Sequence, residues 1–175
     1  MLRIPPYPAA PYHQHVETGN AVEITKGGEL TNYGHLSTGP SHGFKESYNG
    51  VNVDGAAGRV VNLGVIEGGS NGIKSTDGVT LLNAGLLTGH KGAGLKSKGD
   101  ALVINYGIIT GADTLRPKQN DGDGDGLDID KFAQIHNHGI IQGIGANGKD
   151  KGGTPNTSEG IAMGGGAVYN YTRGV

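Results

Sequence analysis

The sequence predicts an all-β fold, a right-handed single-stranded parallel β-helix (β-solenoid) of about five to six rungs of 21-34 residues. Three observations predict it. An Asn-x-Gly motif recurs along the chain, a glycine-led motif keeps a nearly fixed distance from it, and apolar residues alternate with period two around both.

The first motif reads LTNYGHLSTG (30–39), VVNLGVIEGG (60–69), TLLNAGLLTG (80–89), LVINYGIITG (102–111) and QIHNHGIIQG (134–143). Each holds an Asn, a Gly two residues later and an aliphatic two later again. A sixth copy, AVYNYTRGV (167–175), begins the same way and has Thr172 in place of the glycine. Asn32, Asn62, Asn83, Asn105, Asn137 and Asn170 are thus separated by 30, 21, 22, 32 and 33 residues.

The second motif reads GVNVDG (50–55), GIKSTDG (72–78), GLKSKGD (94–100), GLDIDK (126–131) and GIAMGG (160–165), and its glycine precedes the next Asn by 12, 11, 11, 11 and 10 residues. The variation in length therefore enters elsewhere, as inserts at 40–49, 112–125 and 144–159. Residues 21–175 read as β-helix repeats with those inserts, cut short at the C-terminus, and residues 1–20 as a proline-rich N-terminal segment or cap.

Three strands of about five residues with tight turns fill the shortest coils, which is the size of one parallel β-helix rung. In the Asn strand the inward set is Val60, Asn62, Gly64 and Ile66, and its equivalents in other repeats. Stacking sets those asparagines over one another at about 4.8 Å, so each amide bonds the next and none needs water. Leucine-rich repeats share the period and an asparagine ladder, but their leucine spacing is absent.

Composition agrees. Glycine makes up 35 of 175 residues, against a usual share of about 7 %, without the every-third spacing of collagen. Only 34 % of the chain is apolar, too little for an ordinary layered domain. The net charge of −2 is spread over scattered residues, which argues against nucleic-acid binding. Cysteine is absent, excluding disulfides and thiolate metal sites. No apolar run is long enough for a membrane helix, and prolines interrupt the N-terminal stretch where a signal peptide needs apolar residues.

The string VVNLGVIEGGSNGI (60–73), with VINYGIITG (103–111), DGDGLDID (123–130) and residues 140–166, resembles the repeat of bacterial autotransporter passenger domains. The resemblance covers about residues 30 to 172. It implies a secreted or cell-surface stalk, structural or adhesive, preceded by an export signal and followed by an outer-membrane β-barrel of a Gram-negative bacterium. The partners it implies are a protein or glycan on a host or neighbouring cell. Activity does not follow from it, because adhesins and enzymes share such solenoids.

Asp121, Asp123, Asp125, Asp128 and Asp130, interleaved with glycines, resemble the start of a calcium loop, although Phe132 stands where an EF-hand needs an acid. The same residues also fit a solvated turn, with Asp128 registered against Lys96 and Lys74 and Asp130 against Lys98 as cross-strand ion pairs.

The outward face of the Asn strand is apolar. Tyr33, Leu63, Leu86, Tyr106, Ile108, His138 and Ile140 form a candidate binding surface, with Val61, Val65, Leu82, Ile104, His136 and Tyr169 beside them. Either a partner covers it, or an insert or the N-terminal segment does. His136 and His138 have a spacing that suits a metal, but the only third ligand to name is His35, several rungs away.

No nucleophile elbow, HExxH helix or P-loop is present, so the chain reads as a binding or structural element rather than an enzyme. The alternative is a carbohydrate-active β-helix enzyme, a polysaccharide lyase or hydrolase, or a carbohydrate-binding module, using a groove between an insert and an outward strand. Open sheet edges at the two ends predict self-association.

Overall fold

The computed structural model describes residues 12–39, 48–113, 123–147, 149 and 153–172. These residues form β-strands and turns, with no helix among them. The first strand is β1 (His13–Val16). Strand triplets follow: β2 (Val22–Thr25), β3 (Gly28–Asn32) and β4 (His35–Thr38), then β5 (Val51–Asp54), β6 (Gly58–Asn62) and β7 (Val65–Gly68). The third is β8 (Ile73–Ser75), β9 (Val79–Asn83) and β10 (Leu86–Gly89). After a short β11 (Lys91–Gly92) come β12 (Leu95–Ser97), β13 (Ala101–Asn105) and β14 (Ile108–Asp113), then β15 (Leu127–Asn137), β16 (Ile140–Ile144) and β17 (Ile161–Asn170).

Each strand pairs with its counterpart one repeat later, in parallel and in register. One ladder runs β2, β5, β8, β12 and a second β3, β6, β9, β13; both continue into the long strands β15 and β17, which makes them one ten-stranded sheet. The third runs β1, β4, β7, β10, β14, β16 as a separate sheet. Among the described strands, only β11, beside β14, joins its sheet antiparallel. The fold is thus all-β and mostly parallel. Strand β1 falls inside the segment read from sequence as a cap, and it extends the third ladder by pairing with β4.

Period-two alternation explains the core. Val51, Val53, Ile73, Leu95, Leu127 and Ile129 enter it from the first ladder, Val60, Leu81, Val103 and Ile135 from the second, and Ile66, Leu87 and Ile109 from the third. Each such side chain, fully removed from water, contributes about 1.5–3 kcal/mol. Buried Ser75 and Ser97 donate to the turn carbonyls of Gly78 and Gly99, so these inward hydroxyls are satisfied.

The glycine of the Asn-x-Gly motif is required by stacking rather than by torsion. A Cβ at Gly64, Gly85, Gly107 or Gly139 would lie 2.1, 1.9, 2.1 or 2.1 Å from the carbonyl oxygen of the matching glycine one repeat earlier. The glycine of the second motif is needed for another reason: at Gly72 a Cβ would meet Leu87 Cδ1 and Gly94 O at 2.6 Å, so its absence leaves room for the core.

The asparagines bond in series. Nδ2 of Asn32 donates to Oδ1 of Asn62 at 2.9 Å, and the steps Asn62 to Asn83, Asn83 to Asn105, Asn105 to Asn137 and Asn137 to Asn170 are each 2.8 Å. The second amide hydrogen of Asn62 reaches Leu86 O at 2.9 Å, and its Oδ1 also accepts from Gly64 N at 3.3 Å. Two donors and two lone pairs are thereby all used, which is how a fully buried amide is accommodated.

All three inserts fall at the corner where the third ladder passes to the first. Their residues 40–47, 114–122, 148 and 150–152 lie outside the described residues, as do 1–11 of the N-terminal segment.

Candidate functional site

Two outer faces carry the candidate residues. The first is the Asn-x-Gly corner. Outward positions there form columns: Val61, Leu82, Ile104, His136 and Tyr169 on the second ladder, and His35, Val65, Leu86, Ile108 and Ile140 on the third. Between them, next to each ladder asparagine, stand Tyr33, Leu63, Ala84, Tyr106, His138 and Tyr171. Tyr33 is 66 % exposed, Tyr106 52 %, Leu63 and Ile140 43 % and Ile108 36 %, while Leu86 and His138 are half-buried. Val61 is buried, while the other aliphatics named and the tyrosines of the strip keep contact with water.

Its far end is aromatic. His138 is sandwiched between Tyr106 at 4.7 Å and Tyr171 at 4.2 Å, and His136 stacks on Tyr169 at 4.8 Å, with ring planes within 13° of parallel. His136 Nδ1 also lies 3.1 Å from the Tyr171 hydroxyl. Both ring faces of His138 are thus occupied, so at that position the column offers a rim and polar edge rather than an open face on which a flat ligand stacks. These stacks hold His136 and His138 in an aromatic column, and among the described residues no third His, Asp or Glu joins them. His35 is elsewhere, with Nε2 2.8 Å from Glu67 Oε2 and its ring 4.4 Å from that of His13. The spacing of His13 and His15, both bonded to Ser37 Oγ, is the sequence signal for that N-terminal cluster.

The second face is the outside of the first ladder, where Glu23, Asn52, Lys74, Lys96 and Asp128 are successive register partners. Beside it, at the insert corner, opens a cleft of about 320 Å³ lined by Lys74, Lys91, Lys96 and Lys98 and by Asp123, Asp125 and Asp128. Lys96 Nζ bonds the Asp128 carboxylate. Burial lowers the affinity of Lys96 for its proton, but Asp128, with Asp130 and Asp123 behind it, outweighs burial and holds the ammonium above its ordinary value.

The wall of the cleft contains a second ladder that the sequence reading missed. Asn49 Nδ2 donates to Asn20 Oδ1 at 3.1 Å, Asn71 Nδ2 to Asn49 Oδ1 at 2.9 Å, and Ala93 N to Asn71 Oδ1 at 3.0 Å. Each of these positions immediately precedes the glycine of the second motif, except Asn20, which precedes Ala21. In the next two repeats the position is Asp125 and then Glu159, whose backbone N donates to Asp125 Oδ1 at 2.8 Å. Asp125 is 3 % exposed. Burial, with the Glu159 carboxyl and the Asp128 charge, pushes it up to about 7 against the pull of the Glu159 N–H. Asp123 is also raised, by burial first and then Asp128 and Glu159, with Lys96 opposing.

Of the five aspartates singled out as calcium ligands, Asp123, Asp125 and Asp128 meet at the cleft, Asp130 is exposed farther along its strand, and Asp121 lies outside the described residues. Among the described residues no three His, Asp or Glu side chains come together as a metal would need. An ammonium, that of Lys96, is the cation beside Asp128. No ion pair joins Asp130 to Lys98 among the described residues.

Comparison with known proteins finds no family model, no curated protein and no solved structure that matches this chain.

Proposed function

We propose that the chain is part of a right-handed single-stranded parallel β-helix displayed outside the cell, a passenger stalk of the autotransporter kind whose apolar strip binds a partner surface. Support for the helical path comes from three in-register ladders visited in a fixed order, each return to the same ladder being a parallel crossover, which is right-handed in about 98 % of cases. Support for display comes from inserts confined to one corner of an otherwise regular stack, since loops on a rigid scaffold commonly carry recognition.

One observation carries the binding role: the strip from Tyr33 to Tyr171 keeps tyrosines and aliphatics in contact with water along successive repeats. Contiguous apolar surface of this kind marks interaction sites. The proposed partner is a protein or glycan of a host or neighbouring cell, or a second stalk. Turnover is a weaker reading, because Asp128 is held by Lys96 and Asp125 is buried beside Glu159, which among the described residues leaves Asp123 as the one cleft carboxylate neither paired nor buried, where glycoside hydrolysis needs two. A Tyr106→Ala, Ile108→Ala variant tests the proposal. It is expected to keep its far-UV circular dichroism while losing cell-surface adhesion and self-association in sedimentation velocity; retention of both would reject it.

A further inference from the structure

We propose that the lysine-lined cleft binds a carboxylated sugar, a uronate-bearing oligosaccharide. The site is separate from the apolar strip, and rests on the proposed extracellular display only for taking a polysaccharide as the ligand's source.

The argument begins with register. Lys74 and Lys96 are direct partners on the adjacent parallel strands β8 and β12, both outward, at a strand spacing of about 4.8 Å. Like charges so placed oppose each other. Lys96 is relieved by Asp128, its partner on the other side, whereas Lys74 meets only the neutral Asn52 on its far side. Neither Lys74 nor Lys98 makes an ion pair among the described residues. Two uncompensated ammonium groups thus border one concave site together with the Lys96–Asp128 pair. An anion between them removes the repulsion.

The rest of the lining narrows the chemistry. Asp123 and Asp128 are acceptors that suit hydroxyl hydrogens, which a sugar offers and a polyphosphate lacks. A carboxylate for the lysines and vicinal hydroxyls for the aspartates is the pattern of a sugar acid. The cleft volume of about 320 Å³ lies at the small end of ligand sites. Because Lys74, Lys96 and Asp128 stand on paired strands, little backbone freedom is lost on binding.

Titration calorimetry on the whole chain tests this with trigalacturonate, maltotriose and inorganic phosphate as probes. Trigalacturonate is expected to bind saturably, maltotriose and phosphate at least tenfold more weakly. Lys74→Ala and Lys98→Ala, side chains without ion pairs in the fold, should each weaken trigalacturonate about fivefold, close to 1 kcal/mol, with the thermal midpoint unchanged. Tyr106→Ala should bind it as the parent does, which separates this site from the strip. Absence of saturable binding, equal binding of maltotriose or phosphate, or lysine variants that bind like the parent would each overturn the proposal.

Discussion

The two corners of the stack are both built on hydrogen-bonded side-chain ladders, and they differ in how long the amide lasts. At the Asn-x-Gly corner six asparagines follow one another without a break, from Asn32 to Asn170. At the insert corner the amides run Asn20, Asn49, Asn71 and then give way to Ala93, Asp125 and Glu159. The uniform ladder supports a hydrophobic outer strip; the interrupted one forms the wall of a charged cleft. A position held to one residue type by stacking reports architecture, and a departure from it reports a local task that the architecture does not require.

The largest effect that would test this contrast is expected at the uniform ladder. Asn83→Ala deletes bonds to Asn62 and Asn105 and leaves buried donors and acceptors without partners, and should lower stability by about 3–5 kcal/mol in urea unfolding. Gly85→Ala, whose Cβ would lie 1.9 Å from Gly64 O, is expected to cost about 3 kcal/mol by forcing two backbones apart. Asn71→Ala, in the shorter ladder, should cost less, about 2 kcal/mol, because its chain of amides ends one repeat later at Ala93 N. A cost for Asn71 equal to that for Asn83 would erase the difference between the corners.

A subtler test lies in pH. Asp125 has a folded-state pKa raised to about 7, above the ordinary carboxyl value of about 3.9. Between those values the native state keeps a proton that the unfolded chain has released, so stability falls as pH rises from about 4 to about 7 and is level above. Asp125→Asn restores the amide found at Asn20, Asn49 and Asn71. It is expected to raise stability by about 1–2 kcal/mol at pH 8 and hardly at all near pH 4, measured as thermal midpoints across pH. The same gain at both pH values would remove the carboxyl's charge as the cause. The smallest change in stability belongs to the strip: Tyr106→Ala, exposed and outside the core, should shift it by no more than about 1 kcal/mol.

Much of the fold could be read from the chain because stacking repeats its demands. Gly64, Gly85, Gly107 and Gly139 all face a carbonyl about 2 Å from where a Cβ would be, so the motif could not drift, and Asn62, Asn83 and Asn105 are wholly buried in matched positions. Such constraints leave a period in the sequence. The second ladder left a fainter one, since its asparagine survives in only three repeats and its neighbour glycine draws attention first. The cleft was legible only in part: the aspartate cluster and the register of Asp128 with Lys96 and Lys74 could be read from the repeats, but not that these residues border one concavity with Lys91 and Lys98. Continuous β15 also hid its turn. Where earlier repeats break between the first two ladders, this strand passes through with a register shift between Ile129 and Phe132, leaving Phe132 exposed.

The long ladder also has a sense, like an arrow drawn along the stack. Each of the five steps donates toward the C-terminal side, so among the described residues the ladder ends with a donor at Asn170 on β17 and an acceptor at Asn32 on β3. Two like edges brought together would set donor against donor or acceptor against acceptor. Any strand that extends this stack, whatever its origin, is therefore selected for orientation by a side chain before its own sequence is consulted.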